Sequence, residues 1–566
     1  MPTQPPSAAP ELLRWTWADI ESYYRELESG PLSEQGSDSW LRDWSDLTRR
    51  VLEIYNRWYV ATTVNTADGE AEQGFRSFLE DIYPNFLERE NTLRKKLLGS
   101  GLRPDGLTVA LRNMQAEAGL FREANLPLIT EEQKLNIEYD KIMGDQTVLW
   151  DGEERTMPQM YTAQLENDRA RREAAFRLVL ERHYADYDAI GALWIKLLGL
   201  RKQIAANAGR SSYRDYAWQQ KLRFDYTPED AKAFHRAIEE AVVPAAARTR
   251  ERRRKRLGID TVRPWDTEVD ALGAEPIRPF QTTDELIRGT RLIFDRVDPE
   301  LGHYFQLMAD EGLLDLDSRK NKAPGAYCTS FDFARRPFIL CSSVGTHEDV
   351  ATLLHEGGHA FHVFETAGIQ LVQNLNVTME FGEVASMAME LLAAPFLTDS
   401  GMYSRPEAAR ARISHLESIL VLWPYVAVVD AFQHWIYENP DQASEPEGCD
   451  AKWSELYDRY MVDIDWRGLE KYKGARWQRQ SHIIEVPFYF IEYGLAQSGA
   501  AQIWANSLQD YAGAVRAYRK ALSLGSTRTL PELFRAAGAE FVFDAATLKQ
   551  SVELAEQTIE ELESQI

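Results

Sequence analysis

Cysteine is nearly absent: Cys328, Cys341 and Cys449 are the only three in a chain of 566 residues. So few cannot staple a fold, which excludes a disulfide scaffold and suits a reducing, cytoplasmic compartment. Also missing is an apolar run fit to cross a bilayer. The longest, Ile419 to Val429, carries Pro424 and falls well short of the roughly 20 residues required. Positive charge is in deficit, with 64 Lys and Arg against 88 Asp and Glu, a net of −24. Phosphate backbones and anionic lipid are therefore repelled over most of the surface, and neither nucleic acid nor a membrane is an expected partner. The one basic run, Arg248 to Arg256, has the helical setting of a solvated face. The first residues, Met1 to Glu11, are rich in Pro, Ser and Ala without a basic segment followed by an apolar one, and read as a loose tail rather than a signal peptide. No internal repeat, heptad array or low-complexity tract is visible.

What the chain does have is enough apolar sequence, 44% of residues, to bury a large interior shared among lobes. A mostly α architecture follows from periodicity. Tyr23, Trp40, Trp44, Tyr55, Trp58 and Phe78 recur at three- and four-residue spacings between charges, the pattern of amphipathic helices with an aromatic core. At Thr147 to Met157 the period changes, and Asp151-Gly152 between apolar and β-prone flanks predicts a hairpin. A small sheet is expected from Gly325 to Thr329 and Pro337 to Cys341, closed by Ser342 to Gly345. The predicted division is a tail over 1–12, an N-terminal helical lobe over 13–200, and a second lobe over 201–566 that holds the chemistry.

That chemistry sits in His355-Glu356-Gly357-Gly358-His359, inside a helix predicted over Asp349 to Phe364. Residues four apart on an α-helix are separated by about 40° and 6 Å, so two imidazoles can meet one ion while the intervening Glu356 reaches a water. Chance alone produces HExxH in roughly one or two chains per hundred of this length. The plainer alternative is a pair of helix-surface or core histidines, but two glycines in mid-helix cost about 1 kcal/mol each against alanine and call for a packing or access reason. A catalytic site needs a third ligand. His362 shares the face of His355 but lies about 10 Å along the axis, and reads as an outer or core residue. A helix predicted over Val377 to Leu392 offers Glu380, Glu383 and Glu390 among apolar neighbours, where carboxylates are costly unless paired or metal-bound. Spacing does not choose between Glu380 and Glu383.

The segments His355-Glu-Gly-Gly-His-Ala-Phe-His362, Thr378-Met-Glu-Phe-Gly-Glu-Val-Ala-Ser386 and His482-Ile-Ile-Glu-Val-Pro-Phe-Tyr-Phe-Ile-Glu-Tyr493 resemble, in order and spacing, the three active-site segments of oligoendopeptidase F in the thimet oligopeptidase group of zinc peptidases. Weaker echoes at Lys322 to Thr329, Arg263 to Asp266 and Leu530 to Phe534 extend the likeness from about Glu11 to the C-terminus. The resemblance implies a mostly α, two-lobed zincin-like metallopeptidase with a small sheet beside the active-site helix and a deep substrate channel. It implies one Zn²⁺ per chain held by His355, His359 and Glu383, with Glu356 as general base. It also implies that His482, Tyr489 and Tyr493 face the channel, where donors to an oxyanion and to substrate backbone are needed. Four-residue spacing predicts one helical face for Tyr489 and Tyr493, and leaves open which is the main donor. Some family members carry a carboxylate four residues before the first zinc histidine; here that position is Ala351, with Asp349 behind it, which makes Glu390 the candidate to orient a ligand.

The expected activity is zinc-dependent hydrolysis of internal bonds in short unfolded peptides, without a covalent intermediate. The strand near Phe338 to Ser342 is expected to pair with peptide backbone by β-addition. Two other readings are an exopeptidase on a similar zinc core, separable by mapping the products of blocked peptides, and a silent helical peptide-binding protein, separable by hydrolysis with and without chelator. The retained Glu356 argues against the second.

Overall fold

Apolar residues three and four apart become buried helix faces. In the 28-residue helix Ser37–Val64, the side chains of Trp40, Leu41, Trp44, Leu47, Val51 and Ile54 are all buried. Phe78 joins the same core, with Tyr23, Tyr55 and Trp58 packed against its edge. The structure, a computed structural model, describes residues 9–272, 275–319, 321–323 and 325–566. It is mostly α, as the periodicity predicts, with its described strands confined to two small sheets. Of the expected tail, residues 1–8 lie outside the described residues. The rest departs from expectation, since Ala9–Leu12 is helical and Leu12 is fully buried in the Trp40–Trp44 core; an apolar Leu beside an aromatic cluster is worth more buried than free.

Two compact units divide the chain discontinuously. One comprises Met1–Ala118, Ile277–Ala408 and Gly499–Phe541, the other Gly119–Pro276, Ala409–Ser498 and Val542–Ile566. The lobe boundary drawn at 200/201 falls inside the continuous helix Tyr187–Asn207.

The first unit contains the three-stranded sheet. Its strands are β3 (Leu314–Asp317), β4 (Tyr327–Phe331) and β5 (Arg336–Ser343), in the order β3-β5-β4, with β3 parallel and β4 antiparallel to β5. β3 went unforeseen because four residues give too short a pattern to read. β5 is central, pairing with β4 over 336–340 and with β3 over 339–343, so Ile339 and Leu340 are taken on both edges, which limits the expected β-addition of a peptide to the part of the strand beyond the end of β4.

The second unit holds the predicted hairpin. β1 (Thr147–Trp150) pairs antiparallel with β2 (Glu153–Thr156), and Asp151 and Gly152 both adopt positive φ, +51° and +84°, as a tight two-residue turn requires. Its core is built on fully buried Trp194, Trp423, Trp453 and Trp477. Three of these indoles donate to Ala443 O, Gly494 O and Asp450 Oδ1 at 2.7, 2.9 and 2.7 Å, so their one polar atom is satisfied. The basic run Arg248 to Arg256 is largely neutralised, with Arg248 on Glu556, Arg254 on Glu251, and Arg256 on Glu417 and Glu563.

Helical stretches Met379–Ser400 and Arg405–Glu438 are long and apolar enough to cross a membrane, but 67% and 72% of their apolar windows are buried inside the protein. That is the environment of core helices.

Candidate metal centre

The motif helix, His347–Glu365, starts at a capping box. Thr346 Oγ1 accepts from Asp349 N at 3.3 Å, and Asp349 Oδ2 accepts from Thr346 N and Val344 N at 2.7 and 2.9 Å. Asp349 is thereby spent on satisfying helix-end donors. The two motif glycines have distinct packing reasons. A Cβ on Gly357 would lie 2.5 Å from Phe294 Cζ, and one on Gly358 would lie 2.4 Å from the Ala385 carbonyl oxygen and 2.6 Å from Ser386 Cα. Gly358 thus lets the motif helix rest directly on the backbone of a second helix, Met379–Ala393. The Ala385 carbonyl at this crossing also accepts from the buried Tyr518 hydroxyl at 2.7 Å.

This crossing carries Glu383 to the histidines. One ligand atom from each of His355, His359 and Glu383 lies within 4.8 Å of the others. Glu383 Oε2 is 3.4 Å from His355 Nε2 and 3.7 Å from His359 Nε2, and it accepts from Ser386 Oγ at 3.0 Å. On the far side of its ring, His355 Nδ1 meets Glu390 Oε1 at 2.7 Å, which fixes Nδ1 as the protonated nitrogen and turns the Nε2 lone pair toward the cluster. Glu380, the alternative that spacing left open, is buried on the same helix but lies outside this group. His362 packs its ring 6.1 Å from Phe381 and also lies outside it.

The donor chemistry fits a divalent cation of the zinc class: two imidazoles and one carboxylate, with the far nitrogen of one imidazole held by a second carboxylate. The electrostatics agree. Burial works against a charge on His355, but Glu383 and Glu390 outweigh it and hold its pKa well above the ordinary range. The positive charge those carboxylates draw to Nε2 can be a proton or a metal. Burial lowers His359 to about 4, leaving it neutral and able to ligate. Burial would raise Glu383, yet the His355 bond and the charges of both histidines hold it at about 2. Glu356 is raised to about 7, first by burial and then by Glu383 and Glu390, against the pull of His355 and of the Cys328 backbone N–H. Such a value suits a group that takes up and releases protons near neutrality. The cysteines offer no competing nucleophile, since burial raises all three thiols, Cys341 to about 11.

His482, Tyr489 and Tyr493 belong to the other unit and form a cluster there. The His482 ring lies 5.6 and 5.8 Å from Tyr489 and Tyr493, whose rings are 5.4 Å apart. The tyrosines do not share a helical face as expected. Pro487 and then Phe488 at φ +64° interrupt the chain, and the helix Ile491–Ser507 begins only after Tyr489. A non-glycine residue held at positive φ must be over-determined by its surroundings. Here Phe488 N donates to Gln433 Oε1 and Phe488 O accepts from Arg223 Nη2, both at 2.5 Å. Arg223 also pairs at 2.6 Å with buried Glu492, and the Phe488 ring is enclosed by Trp218, His434 and Tyr437.

Sequence reasoning missed two supporting residues in this cluster. Gln480 Nε2 lies 2.7 Å from His482 Nδ1, and Tyr425 Oη donates to Gln480 Oε1 at 2.8 Å. The tyrosine hydroxyl holds the amide, and with the amide nitrogen facing Nδ1 the ring proton lies on Nε2. No spacing rule points to Gln480. Ser386, by contrast, stands three residues after Glu383 and was within reach of a helical i,i+3 argument.

Comparison with known proteins points to peptidases. The model of "Peptidase family M3" matches residues 163–553. Oligopeptidase PepF of Bacillus subtilis (strain 168) is 24% identical over 271 residues, covering 46% of this chain and 39% of its own length. An oligoendopeptidase F homolog of Mycoplasma pneumoniae is 24% identical over 407 residues, covering 66% and 62%. The matches therefore span less than two thirds of either relative. Among solved structures, PZ peptidase A with an inhibitor superposes at a TM-score of 0.89 with 26% identity, over 100% of this chain and 99% of that one.

If the Gly358 contact sets the geometry, Gly358→Ala is expected to cost about 1–3 kcal/mol of stability and to weaken divalent-cation binding. Gly382→Ala, where a Cβ meets nothing within 4 Å, is expected to be neutral or stabilising by up to about 1 kcal/mol. Thermal denaturation and metal titration of both variants check the contrast.

Proposed function

Since the chain belongs to peptidase family M3, we propose that it is a zinc-dependent oligoendopeptidase, hydrolysing internal bonds of short unfolded peptides with Glu356 as general base. The observation that carries this reading is the His355–His359–Glu383 cluster, its ligand atoms within 4.8 Å, with a buried carboxyl group on the adjoining residue of the same helix. The names of the relatives, an oligopeptidase and an oligoendopeptidase, support peptides as the substrate class.

His355, His359 and Glu383 would hold the zinc ion, which when bound supplies Lewis acidity to the scissile carbonyl and to the attacking water. Glu356 accepts the proton released as water attacks and hands it to the departing amine, so one carboxyl group serves both halves of the reaction. Glu390 keeps the His355 ring oriented through Nδ1. His482, presented as an Nε2–H donor by Gln480, is assigned with Tyr489 and Tyr493 to hydrogen-bonding the oxyanion and the substrate backbone.

The role of Glu356 is tested by Glu356→Gln, which is expected to retain zinc while kcat falls by about 10²–10⁴; loss of metal together with activity would make Glu356 a ligand instead. Zinc analysis of Glu383→Ala and Glu380→Ala distinguishes the two carboxylates, since only the first is expected to lose bound metal. For His482→Ala and Tyr493→Phe, steady-state kinetics should show kcat reduced, by about 10²–10³ for a full oxyanion donor, with zinc content unchanged. Unaltered kinetics would remove either residue from the reaction.

A further inference from the structure

One small cavity in the Gly119–Pro276, Ala409–Ser498 and Val542–Ile566 unit plays no part in the proposed peptidase chemistry. It measures about 20 Å³ and is lined in part by Gln146, His183, Arg476 and Arg479. That is room for one water-sized occupant. Its polar lining is not satisfied from within the chain. Both ring nitrogens of His183, the Nε atoms of Arg476 and Arg479, and Oε1 of Gln146 are buried with no hydrogen-bond partner among the described residues. Native proteins seldom leave so many polar atoms unmet in one place unless something occupies the space between them.

Charge decides what that occupant is. Neither Arg476 nor Arg479 forms an ion pair among the described residues. Arg476 lies 5.3 Å from the centre of the Trp466 ring, and among the described residues Arg479 has Arg476, His183 and the hydroxyls of Tyr425 and Tyr139 as charged or ionisable neighbours. Asp186, which takes the Gln146 amide at 2.8 Å, is already paired with Arg182 at 2.7 Å. Burial, with Arg476 adding, lowers Arg479 to about 9, and burial together with both arginines lowers His183 to about 2, so His183 is neutral and contributes one N–H. The unmet groups are chiefly donors, two guanidinium Nε–H groups and one imidazole N–H, and a small anion accepts from all three and offsets the repulsion between the guanidinium groups, whereas a water molecule is neutral and has only two lone pairs to offer.

We propose that this cavity binds one small monovalent anion of chloride size, held by the Nε–H groups of Arg476 and Arg479 and by the His183 ring. The anion relieves the repulsion between the two arginines and pins the chain at Arg479, whose next residue is Gln480, the group that orients His482. It thus stabilises this unit and steadies the approach to His482 without touching a substrate.

The test uses the full chain and does not depend on activity. Thermal denaturation is followed in sodium chloride and in sodium gluconate at equal ionic strength, and crystals are grown in bromide for anomalous scattering. Chloride is expected to raise Tm by about 2 °C or more over gluconate, and a bromide peak is expected beside Arg476 and Arg479. Arg476→Gln and Arg479→Met are each expected to abolish most of the chloride increment. Should either variant fail to fold, the bromide peak and salt comparison on the unaltered chain decide the matter. Equal Tm in both salts with no anomalous peak means water only and overturns the proposal. A peak without any salt-specific Tm shift, an adventitious ion only, does the same, as does an increment that survives in both variants.

Discussion

The metal cluster depends on how closely two helices approach. At Gly358 the motif helix has no side chain, and the Ala385 carbonyl oxygen would lie 2.4 Å from any Cβ placed there. The helix Met379–Ala393 therefore sits nearer than ordinary side-chain packing allows, and Glu383, two residues before Ala385, comes within 3.7 Å of both motif histidines. Two glycines in mid-helix are a local cost of about 1 kcal/mol each. The tertiary contact explains why the fold bears that cost, since a carboxylate ligand on a neighbouring helix must come within a few ångströms of both rings before three donors can share one cation. Tyr518, which donates to the same Ala385 carbonyl, holds the contact from a third direction.

Once the helices are this close, electrostatics follow from burial. Glu383 and Glu356 are both buried, and Glu390 stands on the outer face of His355. Several carboxylates in one apolar pocket cannot all ionise without compensation. Two outlets are visible. Glu383 and Glu390 draw positive charge to His355, and Glu356 is displaced toward neutrality, to about 7. A divalent cation would serve the same carboxylates more completely than a proton does, so the proposed metal site and the proposed base share one origin in these surroundings.

The parts of this arrangement legible in the sequence were those set by local periodicity. The motif helix, the Glu383 helix and the Asp151-Gly152 hairpin all follow from spacing and turn chemistry, and the structure places them within a few residues of expectation. The sequence also flagged the glycine pair as needing a reason. It could not say what the reason was, because the partner atoms, Phe294 and the Ala385 backbone, are distant or featureless in sequence. Errors arose where a tertiary contact overrides a local pattern. Tyr489 and Tyr493 have helical spacing, yet after Pro487 and a left-handed Phe488 the helix starts only at Ile491 and leaves Tyr489 outside it. Phe338 to Ser342 has the composition of an adaptable strand, yet neighbouring strands already take both edges at Ile339 and Leu340.

The Phe488 elbow shows the same trade in the other unit. A phenylalanine at φ +64° costs about 1–3 kcal/mol in backbone strain, and a glycine would avoid most of it. The side chain is what a glycine would forfeit, because its ring fills the space among Trp218, His434 and Tyr437. Its backbone N–H and C=O are each taken by a buried polar group, Gln433 and Arg223. Tyr489 follows an anchored elbow, Tyr493 lies in a helix whose first turn is tied by the Arg223–Glu492 pair, and His482 is aligned by Gln480 through Nδ1. Groups that must bind a developing charge gain most when their orientation is set in advance, since no reorganisation is then required as the charge forms. On the role proposed for the three rings, the strain at Phe488 is the cost of that preorganisation.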